Sequence, residues 1–264
     1  LESHTLPAFP VDTPDGTNLV RDAVSASFVL EEELTTALRH HCYKAYRTEI
    51  NDILLTGLAL SIEEVFGLTH VGIRMEGHGR EDIGLDVDMS RTVGWFTTLY
   101  PVVLEMGYTD RIGQLVGVKE RLHRIPQKGL GYGLLRHLSG FDYKLQPAIS
   151  FNYLGDFGMS VGADDKEVYF TYTGEARGQE FSPLLERDVL LAVSGLMAGG
   201  RLQLSFTYSG QQYDASTINN LLSAYRRHLE ALISQLSQET KEHLSPVDLT
   251  YKELQVAALA GLTD

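Results

Sequence analysis

The sequence predicts a mixed α/β protein of the α+β type, with one mixed sheet flanked by helices. Two stretches, 48–66 and 214–236, repeat apolar residues every three to four positions and so predict amphipathic helices. Short β-branched and aromatic runs crowd together late in the chain, at 148–153, 167–172, 188–197 and 201–208, and predict neighbouring strands. Gly199-Gly200 falls between the last two runs, a two-residue hairpin signal. Strand and helix do not alternate strictly, which argues against a doubly wound nucleotide-binding sheet.

Residues 1–18 hold Pro7, Pro10, Pro14 and Gly16 and read as a linker or irregular lead-in. A short strand is expected at 25–30. A helix follows at 31–46, with Leu34, Leu38 and Cys42 on one face and acids in its first turn. Thr48 is placed to cap the next helix, whose stripe is Ile50, Leu54, Leu58 and Ile62. Strands are expected at 71–76 and 92–104. Between 109 and 124, Ile112, Leu115, Val116 and Leu122 mark an amphipathic helix, and a short helix is expected at 133–138. Asp214 caps the last long helix, with Ile218, Leu221, Tyr225, Leu229, Leu232 and Leu236 on its apolar face. Pro246 follows, and a further short helix is expected in the tail to Asp264.

At 264 residues the chain is long enough to bury roughly three-quarters of its unfolded surface. No apolar run approaches the ~20 residues that span a bilayer, and no signal-peptide pattern stands at the N-terminus. Cys42 is the single cysteine, which rules out an internal disulfide and makes a reducing cytoplasm the expected setting. The net charge of −13 argues against nucleic acid as a partner, since phosphate neutralisation needs clustered Lys and Arg. The acids are spread along the chain, as solubilising charge is.

Four strings follow one another in order: Glu76-Gly-His-Gly-Arg-Glu81, Arg91-Thr-Val-Gly-Trp-Phe96, Pro126-Gln-Lys-Gly-Leu-Gly-Tyr-Gly133 and Phe151-Asn-Tyr-Leu-Gly155. Asn51-Asp-Ile-Leu-Leu55 precedes them. Glu76 sits at an expected strand end, where two glycines let the backbone turn close to a ligand, and a carboxylate so held suits general-base chemistry. The plain alternative is a solvated strand-to-loop turn. His78, alone between glycines, is no metal site and suits a structural hydrogen bond. His40-His41 read as a solvated helix face, because adjacent helical residues point about 100° apart. Asp86 and Asp88 share a face of an extended segment, but no further carboxylates accompany them, so no metal is expected. Trp95 in a strand packs into a core by default. The Pro126–Gly133 string lacks the Lys-Ser/Thr of a phosphate loop. Asn152 and Tyr153 alternate in facing, so a regular strand points only one of them into a cleft.

Taken together and in this order, the strings resemble the signature blocks of the epimerization domain of nonribosomal peptide synthetases. The motifs that carry the resemblance lie within residues 48–157, and it extends over the chain. It implies a chloramphenicol-acetyltransferase-like fold, with residues 19–264 forming the C-terminal lobe of a two-lobed domain whose active site lies in a tunnel between lobes. It implies inversion at the α-carbon of an aminoacyl or peptidyl thioester tethered through phosphopantetheine to a peptidyl carrier domain, with no intrinsic cofactor. Glu76 would carry one proton transfer and the Tyr153 hydroxyl would support an enolate or relay a proton. Arg80 would hold its loop or neutralise nearby carboxylates, with His78, Asn152 and Trp95 as supporting residues. The family's His-His-x-x-x-Asp-Gly motif is absent from these residues, so its histidine would come from an N-terminal lobe. Trp95-Phe-Thr97 favours epimerization over condensation domains, which usually carry Val-Gly-x-Phe-Val-Asn-Thr here. A condensation-type acyltransferase lobe and a non-catalytic carrier-docking lobe stay open.

Overall fold

The computed structural model describes residues 6–82, 84, 88–140, 145–156, 175 and 178–249. The strand expected at 167–172, the tail helix and Asp86 lie outside these residues. The ordered elements are β1 (Ala23–Val29), α1 (Glu32–His40), α2 (Ile50–Phe66), β2 (His70–Gly77), β3 (Thr98–Glu105), α3 (Arg111–His123), α4 (Leu130–Leu138), β4 (Ile149–Asp156), β5 (Leu191–Ala198), β6 (Arg201–Ser209) and α5 (Ala215–Gln238).

The strands make a six-stranded mixed sheet in the order β1-β6-β5-β4-β2-β3. The central pairs β2/β4 and β4/β5 are parallel, and the remaining pairs are antiparallel. Period-two alternation gives the sheet two unlike faces. Ala26, Phe206, Val193, Phe151, Met75 and Tyr100 line up in register across one face, which is covered by helices. The other face carries Ser25, Ser27, Ser194, Ser205 and Thr207, small polar side chains that pack no core. The expected β5–β6 hairpin turns through Gly199 and Gly200, both at positive φ, as a primed turn requires.

On the covered face, α2 contributes Ile53, Leu54, Leu55, Leu58, Ala59 and Ile62 to a core shared with Leu221, Tyr225, Leu229 and Leu232 of α5. The fully buried Tyr225 stacks on Phe206 at 5.8 Å and donates its hydroxyl to the Leu54 carbonyl at 3.1 Å. Burial pushes its phenol far above the usual range. The lead-in also touches the lobe: Phe9 is buried edge-on against Phe66 at 5.1 Å, and Tyr213 donates to the Pro10 carbonyl at 2.9 Å.

A buried ion pair closes the far end. Lys119 on α3 is 0 % exposed, and its Nζ donates to both Asp248 oxygens at 2.7 and 2.6 Å and to the Tyr46 carbonyl at 2.6 Å. Its neighbour Glu120 accepts from the Val247 N–H at 2.9 Å. Two consecutive α3 residues thus hold the 3-10 turn Pro246–Asp248.

Several expected boundaries move. The first helix ends at His40, short of the expected 46, and the chain turns through Arg47 at φ 48°. Thr48 does not cap α2: its hydroxyl donates to the Cys42 carbonyl, while the Asp52 carboxylate reaches back to the Glu49 N–H at 2.7 Å. Helix α3 begins at Arg111, not 109, capped by Asp110, which accepts from the Gly113 N–H at 2.7 Å. The glycine string is a 3-10 turn over Pro126–Gly129 running directly into α4, which begins at Leu130. β3 starts at Thr98, not 92, so Trp95 is outside the strand and 90 % exposed, not packed in a core.

Candidate active site

Glu76 is the penultimate residue of β2 and projects from the open face of the sheet. The neighbouring parallel strand β4 brings Asn152 beside it, and Asn152 Nδ2 donates to Glu76 Oε2 at 2.8 Å across 76 residues of sequence. This bond directs one carboxylate oxygen and, among the described residues, leaves the other without a hydrogen bond. Both residues line a cavity of about 510 Å³ with His78, Glu81, Thr97, Tyr100 and Tyr153. The opposite wall is built from Glu49 and Asp52 at the start of α2, His123 at the end of α3, and Lys128.

Tyr153 reaches this cavity from the other side of the sheet. It follows Phe151 by two residues, pairs with Gly195 and lies against the core. Its ring occupies the space above Gly195, where an added Cβ would stand 3.2 Å from Tyr153 Cδ2. Glu76 and Tyr153 therefore meet at one cavity at the strand ends, reaching it from opposite faces of the sheet. Asn152 is the residue of its block that shares a face with Glu76. Beside Tyr153, burial and the neighbouring phenol push Tyr43 up to about 12.

His78 is exposed and holds its own loop together. Its Nδ1 accepts from the Arg80 backbone N–H at 3.0 Å, and Nε2 faces Glu81 Oε1 at 3.0 Å. Arg80 and Trp95 do not line the cavity. Arg80 turns instead to the segment before β3, and Trp95 projects from that segment into solvent. Among the described residues no cluster of three or more His, Cys, Asp or Glu is placed to hold a metal ion, and no helix is long and apolar enough to cross a membrane.

The sequence reading missed a second polar pair in the cavity wall. His123 Nε2 donates to Asp52 Oδ2 at 2.9 Å, with the Asp52 side chain 1 % exposed and that of His123 26 % exposed. Asp52 thus closes the first turn of α2 and clips the last turn of α3, where the helix dipole favours a cation. The hydrogen bond to Asp52 raises the His123 pKa against the opposing effect of burial, with Glu49 adding to the rise and Lys119 subtracting from it. A histidine raised in the folded state stabilises fully below its unfolded value near 6.5, and the contribution fades as pH rises through the folded value. His123→Ala is expected to cost about 1.5–3 kcal/mol at pH 6, the range for hydrogen bonds to charged groups, and less at pH 9. Urea unfolding at the two pH values checks this, and an equal cost at both would assign His123 a packing role only.

Electrostatically the cavity is acidic. Glu49, Asp52, Glu76 and Glu81 face it, against His123 and Lys128, and Lys128 pairs with Glu49 at 3.4 Å. Burial, with Glu81 and Glu49 nearby, raises the Tyr100 phenol. Lys128 and its neighbour Gln127 both take positive φ, a conformation that costs a non-glycine residue of order 1–3 kcal/mol. That strained turn sets the position of the Lys128 ammonium at the cavity wall.

Residues 1–255 match the condensation-domain family model. Tyrocidine synthase 2 of Brevibacillus parabrevis is 38% identical over 267 residues, covering 98% of this chain. Gramicidin S synthase 1 of Brevibacillus brevis is 38% identical over 256 residues, covering 91%. The chain spans only 7% and 23% of the lengths of these two proteins. Among solved structures, the epimerization domain from the third module of tyrocidine synthetase B superposes with a TM-score of 0.81 at 39% identity, covering 89% of this chain and 53% of that one. The condensation domain of the Monacolin K polyketide synthase MokA superposes at 0.62 with 14% identity, a likeness of fold alone. The chain belongs to the condensation-domain superfamily of nonribosomal peptide synthetases.

Proposed function

We propose that this chain is the C-terminal lobe of an epimerization domain, inverting the α-carbon of an aminoacyl or peptidyl thioester held on the phosphopantetheine of a carrier domain. The observation that carries the reading is the Glu76–Asn152 bond, which joins two of the signature blocks at one cavity. The 39% identity to an epimerization domain supports it over plain acyl transfer. A thioester acidifies the α-proton, so a positioned carboxylate is a sufficient partner for its transfer. In one direction Glu76 takes the α-proton, the electron pair moves onto the thioester oxygen as an enolate, and a group on the far face returns a proton to carbon. Asn152 holds one oxygen of Glu76 and so orients the carboxylate, whose other oxygen takes the proton, and Tyr153 supports the site from the strand end. The group on the far face, and the wall that excludes water, come from an N-terminal lobe that covers the exposed Glu76.

The chain alone is accordingly expected to invert nothing, and the chain mixed with its upstream lobe to invert the substrate. The test supplies an aminoacyl-loaded carrier domain and reads chirality of the released amino acid together with α-proton exchange in deuterated solvent. Turnover by the chain alone would sink the two-lobe reading. Peptide-bond formation without α-proton exchange would move the function to condensation.

A further inference from the structure

We infer that Arg80 is a positioning residue that fastens the segment 89–96 to the strand end carrying Glu76, and is not a charge partner of the cavity. Its link to turnover rests on the epimerization reading above. The guanidinium is engaged on three sides. One edge donates to the Met89 carbonyl, the other donates to the Thr92 carbonyl at 2.7 Å, and the plane lies 4.1 Å from the centre of the Phe96 ring. Among the described residues none of its hydrogen bonds goes to a carboxylate.

A fourth contact comes from the neighbouring glycine. Gly79 is buried at φ +66°, and a Cβ there would stand 1.6 Å from the Phe96 carbonyl oxygen. The Gly79-Arg80 pair therefore receives the 89–96 segment both by backbone approach and by side-chain clamp. What the clamp presents is apolar and unsupported: Val93 is 99 % exposed and Trp95 90 % exposed. Neither holds itself in place by packing, so the conformation of the segment depends on its few polar anchors. Two residues beyond Trp95, Thr97 lines the same cavity as Glu76. Displacing the segment therefore displaces a wall of the site.

The planar fork explains why arginine stands here. It satisfies two carbonyls on separate edges and a ring on its face at once, which the compact ammonium of lysine cannot do. A residue needed only for its charge tolerates lysine, and a clamp does not. Trp95 is the only tryptophan of the chain, so its emission reports on this segment alone.

The test compares Arg80→Lys and Arg80→Ala in this chain by Trp95 fluorescence anisotropy, and in the complete two-lobed protein by epimerization kinetics. Far-UV circular dichroism first selects variants that retain the fold. Expected are a fall in anisotropy in both variants and a loss of kcat of at least about tenfold in Arg80→Lys, since misplacement of about 1 Å costs up to ~10²-fold. Wild-type anisotropy and rate in Arg80→Lys would overturn the proposal in favour of a charge role. Lowered anisotropy with an unchanged rate would overturn its link to the reaction. If the wild-type complete protein fails to epimerize while anisotropy still falls, the functional reading fails and the clamp stands.

Discussion

On the epimerization proposal, Glu76→Gln in the complete two-lobed protein is expected to lower epimerization by roughly 10²–10⁴-fold, the contribution of a positioned acid–base group, while carrier loading is retained. Glutamine keeps the volume of the side chain and an oxygen to accept the Asn152 hydrogen bond, so the strand end is not disturbed. What it loses is the ability to take a proton. The effect should fall on α-proton exchange and on chiral inversion alike, because both pass through the same deprotonated carbon. Tyr153→Phe should cost less, since phenylalanine keeps the ring against Gly195 and the change removes no base. Wild-type exchange and inversion in Glu76→Gln would make the carboxylate structural and return the search for the proton acceptor to the remaining cavity residues.

The fold was largely legible in the sequence because its strongest signals are local. The three-to-four spacing of α2 and α5 places Leu54, Leu58, Tyr225 and Leu229 in one core, and the paired glycines at 199–200 turn a hairpin where expected. Glu76 and Asn152 were legible as strand-end residues, but their contact was not, because it depends on β2 and β4 pairing in parallel. Alternation warned that Asn152 and Tyr153 point apart, and it is Asn152 that joins Glu76. Trp95 shows a rule failing for a physical reason. An aromatic in an apolar string buries itself when a strand carries it, but here the backbone is clamped by Arg80 before the strand begins. The His123–Asp52 pair had no local sign at all. Asp52 was visible only as part of an apolar helix start, and its partner lies 71 residues away.

The largest stability effect is expected at Lys119, another long-range pairing. Lys119→Met should destabilise the lobe by about 3–5 kcal/mol, the cost of breaking a buried ion pair from one side. The methylenes of Met refill most of the space, so the loss reports on the charge. Wild-type Lys119 spends its donors on Asp248 Oδ1, Asp248 Oδ2 and the Tyr46 carbonyl, all within 2.7 Å. Without it, among the described residues, the Asp248 carboxylate keeps only the Ser245 N–H at 2.8 Å and the Ser245 hydroxyl at 3.2 Å, and the Tyr46 carbonyl loses the Lys119 ammonium. Burial works to raise the Asp248 pKa, but the Lys119 and Ser245 hydrogen bonds overcome it and hold the carboxyl below its ordinary value of 3.8. A carboxyl lowered in the folded state stabilises above its unfolded value and loses that contribution as pH falls through the folded one. The gap between wild type and Lys119→Met should therefore be full at pH 7 and narrow below about pH 4. Removing both charges, in Lys119→Met with Asp248→Asn, should recover part of the loss, because no uncompensated charge then remains buried. Urea unfolding of the three proteins measures the coupling directly. A Lys119→Met protein within about 1 kcal/mol of wild type at pH 7, near the median for an exposed pair, would show that water reaches Asp248 and that the pair does not hold the Pro246–Asp248 turn to α3.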